Sequence, residues 1–92
     1  MDGTFLRQWG SEGEGPGQFD YPSAVAVHGE EVIVCGRGNH RMQVFGLDGT
    51  YRRQWGTFGE GQGQFNGPAG VAVHGEEVIV CDSNNYRLQV FV

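Results

Sequence analysis

The chain repeats itself. A shift of 46 residues lays residues 2–46 over residues 48–92 without a gap, and 30 of those 45 pairs are identical, so both halves must take the same fold. Only Met1 and Leu47 fall outside, which divides the chain into units 2–47 and 48–92. With 92 residues in all, each half has too little interior to stand alone, because small chains bury a modest share of their surface.

Within each unit the pattern is strand, turn, strand, with no helical period. Residues 4–9, TFLRQW, are rich in β-formers and follow the turn signal Asp2-Gly3, so they read as an outer strand. A glycine-rich loop over 10–18 leads through Pro22 to a short run of small and β-branched residues, 24–27, suited to a crowded inner position. His28-Gly29-Glu30 is a tight turn into EVIVC, 31–35, and the two segments pair as a hairpin. Along EVIVC, Val32 and Val34 face one way while Ile33 and Cys35 face the other. Both faces are apolar, so both must be covered. Residues 36–40 make the next turn, and RMQVF, 41–45, is a third strand with Met42 and Val44 on one face and Phe45 on the other.

Four short strands per unit at this period fit a propeller blade. A β-sandwich would leave a polar face on each strand, and EVIVC has none. The expected class is all-β: two four-stranded propeller blades per chain, assembling into a closed β-propeller.

The residues also resemble a named family. Gly17-Gln18-Phe19, Pro22, Val25-Ala26-Val27, Asn39-His40-Arg41 and Gln43-Val44-Phe45 resemble the NHL repeat. The second unit carries Gly63-Gln64-Phe65, Pro68, Val71-Ala72-Val73, Asp82, Asn85, Arg87 and Gln89-Val90-Phe91 in the same places. The resemblance implies a six-bladed propeller, used mostly as a platform for proteins or RNA, and in a few relatives as an enzyme with a metal in the central channel. It also implies a hydrogen-bonded turn network of Asp82, Asn85 and Arg87, which holds the turn and does no chemistry. The first unit departs from the pattern: Gly36 stands where the second has Asp82. The second unit departs in its turn: the histidine of the motif is His40 in the first unit and Tyr86 in the second.

Two blades leave two apolar faces in water, since repeat arrays need about three units or polar caps. The chain begins with an outer strand and ends after a third strand, so its last blade lacks an edge and its first strand lacks a sheet. Residues 4–9 of a neighbouring copy are the expected filler, by strand addition, in a head-to-tail contact that closes into a ring. The expected interface takes Thr4, Phe5, Leu6 and Trp9 from the first strand. From the third strands it takes Met42, Val44 and Phe45, and likewise Leu88, Val90 and Phe91. Three chains make six blades and are favoured; a homotetramer would make eight.

Net charge is -5, with arginine the only cation besides histidine, so three chains carry -15. That balance argues against nucleic acid as a partner. No window approaches the roughly 18 apolar residues of a membrane helix, and the first residues lack the pattern of a signal peptide. The expectation is therefore no membrane partner, with two free thiols compatible with the cytoplasm. Cys35 and Cys81 each end an apolar run and read as small buried hydrophobes, not as a disulfide.

The glycine-rich loops are followed by strands, not by the helix N-terminus a phosphate site uses. His28 and His74 fall in equivalent turns and read as solvated, as do Glu30, Glu31, Glu76 and Glu77. No serine lies in a GxSxG setting, and no residue set supplies a nucleophile with its base. The expectation is no enzyme, no metal and no cofactor. What remains is recognition of a peptide or protein on the loop face, where Tyr21, Arg37, Asn39 and His40 of the first unit meet Phe58, Asn84, Asn85 and Tyr86 of the second. The leading reading is a propeller fragment, natural or engineered, whose main activity is assembly with itself; a binding platform is the alternative and a channel-metal enzyme a remote one.

Overall fold

A computed structural model describes residues 1–92. Glycine-rich turns and alternating apolar residues give an all-β chain, with a single 3-10 turn at Ser83–Asn85 as its only helical element. In the first unit the strands are β1 (Ser11–Glu12), β2 (Gln18–Phe19), β3 (Pro22–His28), β4 (Glu31–Gly36) and β5 (Arg41–Gly46). The second unit adds β6 (Tyr51–Trp55), β7 (Thr57–Phe58), β8 (Gln64–Phe65), β9 (Gly70–His74), β10 (Glu77–Asp82) and β11 (Arg87–Phe91).

One sheet is a four-stranded antiparallel meander, β3-β4-β5-β6. Its fourth strand is thus the opening strand of the second unit, and the blade is offset from the sequence repeat by one strand. The other main sheet, β9-β10-β11, has three strands and ends on a free β11 edge. Residues 4–9, read from sequence as an outer strand, pair with no strand and are exposed, whereas their twins in β6 pair with β5, with one irregularity at Arg52. The cause is a missing partner: within the chain, no third strand of a preceding blade lies beside them.

The glycine-rich loops, read as plain connections, each contain a two-residue parallel ribbon: β1 with β2 and β7 with β8. Gln18 folds back to accept the Gly15 N–H at 2.9 Å, and Gln64 accepts the Gly61 N–H at 2.8 Å.

The core lies between the blades. Ile33, Cys35, Met42 and Val44 on one face of β4-β5 are buried with Phe65 and Val80, and Val71, Val73, Val78 and Phe91 pack against them. The equivalent outer faces are open: Leu88 and Val90 are 67% and 55% exposed, and Val25 and Val27 are 62% and 59% exposed.

Candidate functional site

The best-built polar feature is the carboxylate of Asp82, at the end of β10. It is fully buried. Its Oδ1 accepts the Asn66 backbone N–H at 2.8 Å. Its Oδ2 accepts Asn85 Nδ2 and Arg87 Nε, each at 2.9 Å, and Gln89 Nε2 at 3.2 Å. Burial alone pushes the carboxyl pKa upward, but the Asn66 N–H, the Asn85 amide and Arg87 outweigh it and hold the group below its ordinary value. The donors then reach on into the glycine-rich loop. Arg87 Nη2 donates to the Gly61 and Gln64 carbonyls, Gln89 Nε2 to Gln64 O, and Asn85 Nδ2 to Gly59 O. The cluster clamps a loop to a strand and offers no open position for a substrate.

The first unit builds the same clamp without its hub. Arg41 donates to the Glu14, Gly15 and Gln18 carbonyls, Gln43 to Gln18 O and Asn39 to Gly13 O. Gly36 takes the place of Asp82, and Arg41 Nε is buried with no hydrogen-bond partner.

The residues read as a ligand face divide into two groups. Asn39, Asn84 and Asn85 are engaged in holding turns, Asn84 through Asn66 at 3.3 Å. His40 ties the units together: its Nδ1 accepts the Gly67 N–H at 3.0 Å and its ring meets Phe58 edge-on at 4.8 Å. Tyr21, Arg37 and Tyr86 keep free, exposed side chains, and Phe58 is exposed as well. Tyr21, His40 and Tyr86 all have left-handed backbone, with φ of 53°, 54° and 56°.

Among the residues read as an interface, Met42, Val44 and Phe45 are buried inside the single chain, while Leu88 and Val90 are open. Trp9 lies on Phe45 with ring centroids 5.8 Å apart, as its twin Trp55 lies on Phe91 at 5.6 Å. Thr4, Phe5 and Leu6 are exposed.

Three contacts have no forerunner in the sequence reading. Glu31, taken there as solvated, is an ion-pair hub: Arg52 reaches its Oε2 at 3.0 Å and Arg53 its Oε1 at 2.7 Å. These hydrogen bonds, Arg53 first and then Arg52, lower its pKa from the usual 4.5 to about 2. His28 Nε2, also taken as solvated, lies 3.5 Å from Glu76 Oε1 across the blades. Gln43 and Gln89 are the third; their only clue is an amide amid apolar residues in identical QVF runs. Cys35 and Cys81 are both free thiols, Cys35 buried and Cys81 exposed.

The protein-family comparison finds the NHL repeat at residues 19–45 and again at 65–91, more than half of the chain. Among curated proteins, the E3 ubiquitin-protein ligases TRIM32 of Homo sapiens and of Mus musculus are each 45% identical over 42 residues, 45% of this chain. The match spans 6% of either relative. With two matched repeats in register with the two sheets, the chain belongs to the NHL-repeat family.

Proposed function

We propose that the chain acts as a β-propeller interaction module and that its first partner is a second copy of itself. The observation that carries this reading is a matched pair of open elements: a free β11 edge and an unpaired segment, 4–9, whose twin fills that edge in the other blade. The β5-β6 ladder pairs Met42 with Trp55, Gln43 with Gln54, Val44 with Arg53 and Phe45 with Tyr51. Carried over by the repeat, β11 would pair Leu88 with Trp9, Gln89 with Gln8, Val90 with Arg7 and Phe91 with Phe5 of the next copy. A further repeat following Val92 in a longer protein would fill the same edge; the 92-residue chain on its own takes the strand from a neighbour.

The faces support the same contact. Leu88, Val90 and Cys81 are the twins of Met42, Val44 and Cys35, which are buried against the second blade. Covering a large apolar side chain contributes about 1.5–3 kcal/mol. Three copies give the six blades that the resemblance implies. Light scattering on the 92-residue chain should read three times the 10.1 kDa chain mass; a folded monomer at micromolar concentration would sink the reading.

A second reading, a platform for a peptide or protein, is favoured by exposed Tyr21 and Tyr86, since aromatic side chains held on left-handed backbone store strain that clusters at functional sites. Tyr86→Ala and Arg37→Ala should abolish capture of such a partner while leaving the assembly mass unchanged. Loss of capture only when the assembly also fails would refute it.

A further inference from the structure

We propose that the first unit holds a small monovalent anion, the size of formate or chloride, where the second unit holds the Asp82 carboxylate. The site is defined by comparing the two copies of one clamp. In the second unit, the Asn66 N–H, Asn85 Nδ2, Arg87 Nε and Gln89 Nε2 all converge on Asp82. In the first unit their twins are the Asp20 N–H, Asn39 Nδ2, Arg41 Nε and Gln43 Nε2. Gly36 brings no acceptor to them.

The side chains of that donor set keep the loop bonds their twins make, and Arg41 adds one, from Nη1 to the Glu14 carbonyl at 2.8 Å. Arg41 Nη2 still reaches the Gly15 and Gln18 carbonyls at 2.8 and 3.0 Å, against 2.8 and 3.0 Å from Arg87 to Gly61 and Gln64. Gln43 Nε2 still reaches Gln18 O at 2.8 Å, and Asn39 Nδ2 still reaches Gly13 O at 3.1 Å. The added Nη1 bond does not serve Nε, so the clamp has not rearranged to satisfy that donor. Arg41 is only 8% exposed, its Nε is buried without a partner, and no carboxylate lies within ion-pair distance of it. A buried guanidinium with no counter-charge and an unmet donor is costly.

An anion supplies charge and acceptors together, which a water molecule does not. Size follows from Gly36: a Cβ there would already lie 3.3 Å from the Arg41 carbonyl oxygen. A free ion, which cannot bond to Cα, must sit slightly further out than the Asp82 carboxylate does. Formate and chloride match, in charge and in size, the single carboxylate that the twin donors hold; sulfate is larger and doubly charged. Asp20, whose N–H belongs to the donor set, has its carboxylate packed against Gly38. It opposes the anion and so limits its affinity.

The test compares the wild-type chain with Gly36→Asp, in which the tethered carboxylate occupies the site. Thermal unfolding is followed in sodium formate, sodium chloride and sodium sulfate at matched ionic strength. Wild type should gain roughly 5–10 °C over sulfate once formate or chloride exceeds its Kd about tenfold, and Gly36→Asp should gain nothing beyond the general salt effect. Saturation-transfer NMR on formate should give a signal with wild type and none with Gly36→Asp. Equal responses from both chains in both measurements would overturn the proposal. A third chain, Asp20→Asn, should bind formate more tightly; if it instead loses stability and shows no anion response, Asp20 itself is the counter-ion and the proposal fails.

Discussion

Tyr21 and Gly67 occupy the same place in the two units and share one backbone conformation, with φ of 53° and 58°. Glycine adopts it freely, whereas a residue with a Cβ in this region is strained by about 1–3 kcal/mol. Tyr21 recovers none of that through packing within the chain, because its ring is exposed. Tyr21→Gly should therefore raise stability by about 1 kcal/mol after the extra backbone entropy of glycine is deducted, read as a higher urea midpoint. A lower midpoint would mean that the ring packs on a neighbouring copy. The position also marks what single residues disclose in a sequence. A resemblance draws Asp82, Asn85 and Arg87 together, but nothing draws Gln89 to them. A strand period tells which face an amide takes, not which loop lies opposite, and the carbonyl it binds belongs to Gln64, 25 residues earlier.

At the scale of elements, the ladder between β5 and β6 is reinforced by one carboxylate. Glu31 on β4 reaches past β5 to both Arg52 and Arg53 on β6. Its pKa falls from 4.5 to about 2, so its contribution to stability is present above about pH 4.5 and is lost as pH falls towards 2. Both arginines are about half exposed, which holds the contribution near 1 kcal/mol. Glu31→Gln should flatten the acid limb of stability between pH 4.5 and 2 in urea melts, leaving the part due to Asp82, Asp48 and Asp2, whose pKa values are also lowered. In the proposed assembly the repeat would place the same bond across chains: Glu77 is the twin of Glu31 and Arg7 the twin of Arg53, while Leu6 replaces Arg52. Arg7→Glu or Glu77→Arg alone should weaken each contact by about 1 kcal/mol, roughly fivefold in its association constant. The double reversal should restore most of it, measured by sedimentation. These elements were legible to different degrees. β3, β4 and β5 follow from alternation and turn residues to within two residues of their observed bounds. The ribbons β1-β2 and β7-β8 are two residues a side, too short for any period to register. Residues 4–9 carry strand propensity that the isolated chain cannot use, because propensity does not supply a partner.

For the whole molecule, the contact inside the chain is the template for the contact proposed between chains, and a thiol would report on it. Cys35 is fully buried where the first blade meets the second; its Sγ lies 3.3 Å from the Pro68 carbonyl oxygen, and burial pushes its pKa up. Cys81 has the equivalent place on the outer face of the second blade, where it is exposed. In a closed ring it would lie against Pro22 of the next copy, as buried as Cys35 is. Under native conditions the assembled protein should expose no reactive thiol, and dilution below the dissociation constant should release one per chain, from Cys81. Leu88→Arg puts a charge on the same face without disturbing the core of a single chain, since Leu88 is in water there. In labelling experiments with a Cys35→Ser background, it should leave Cys81 reactive at every concentration, while the parent chain passes from reactive to protected as concentration rises. A Cys81 that labels at the same rate in both chains, at concentrations where light scattering reads a trimer, would place the contact on some other face.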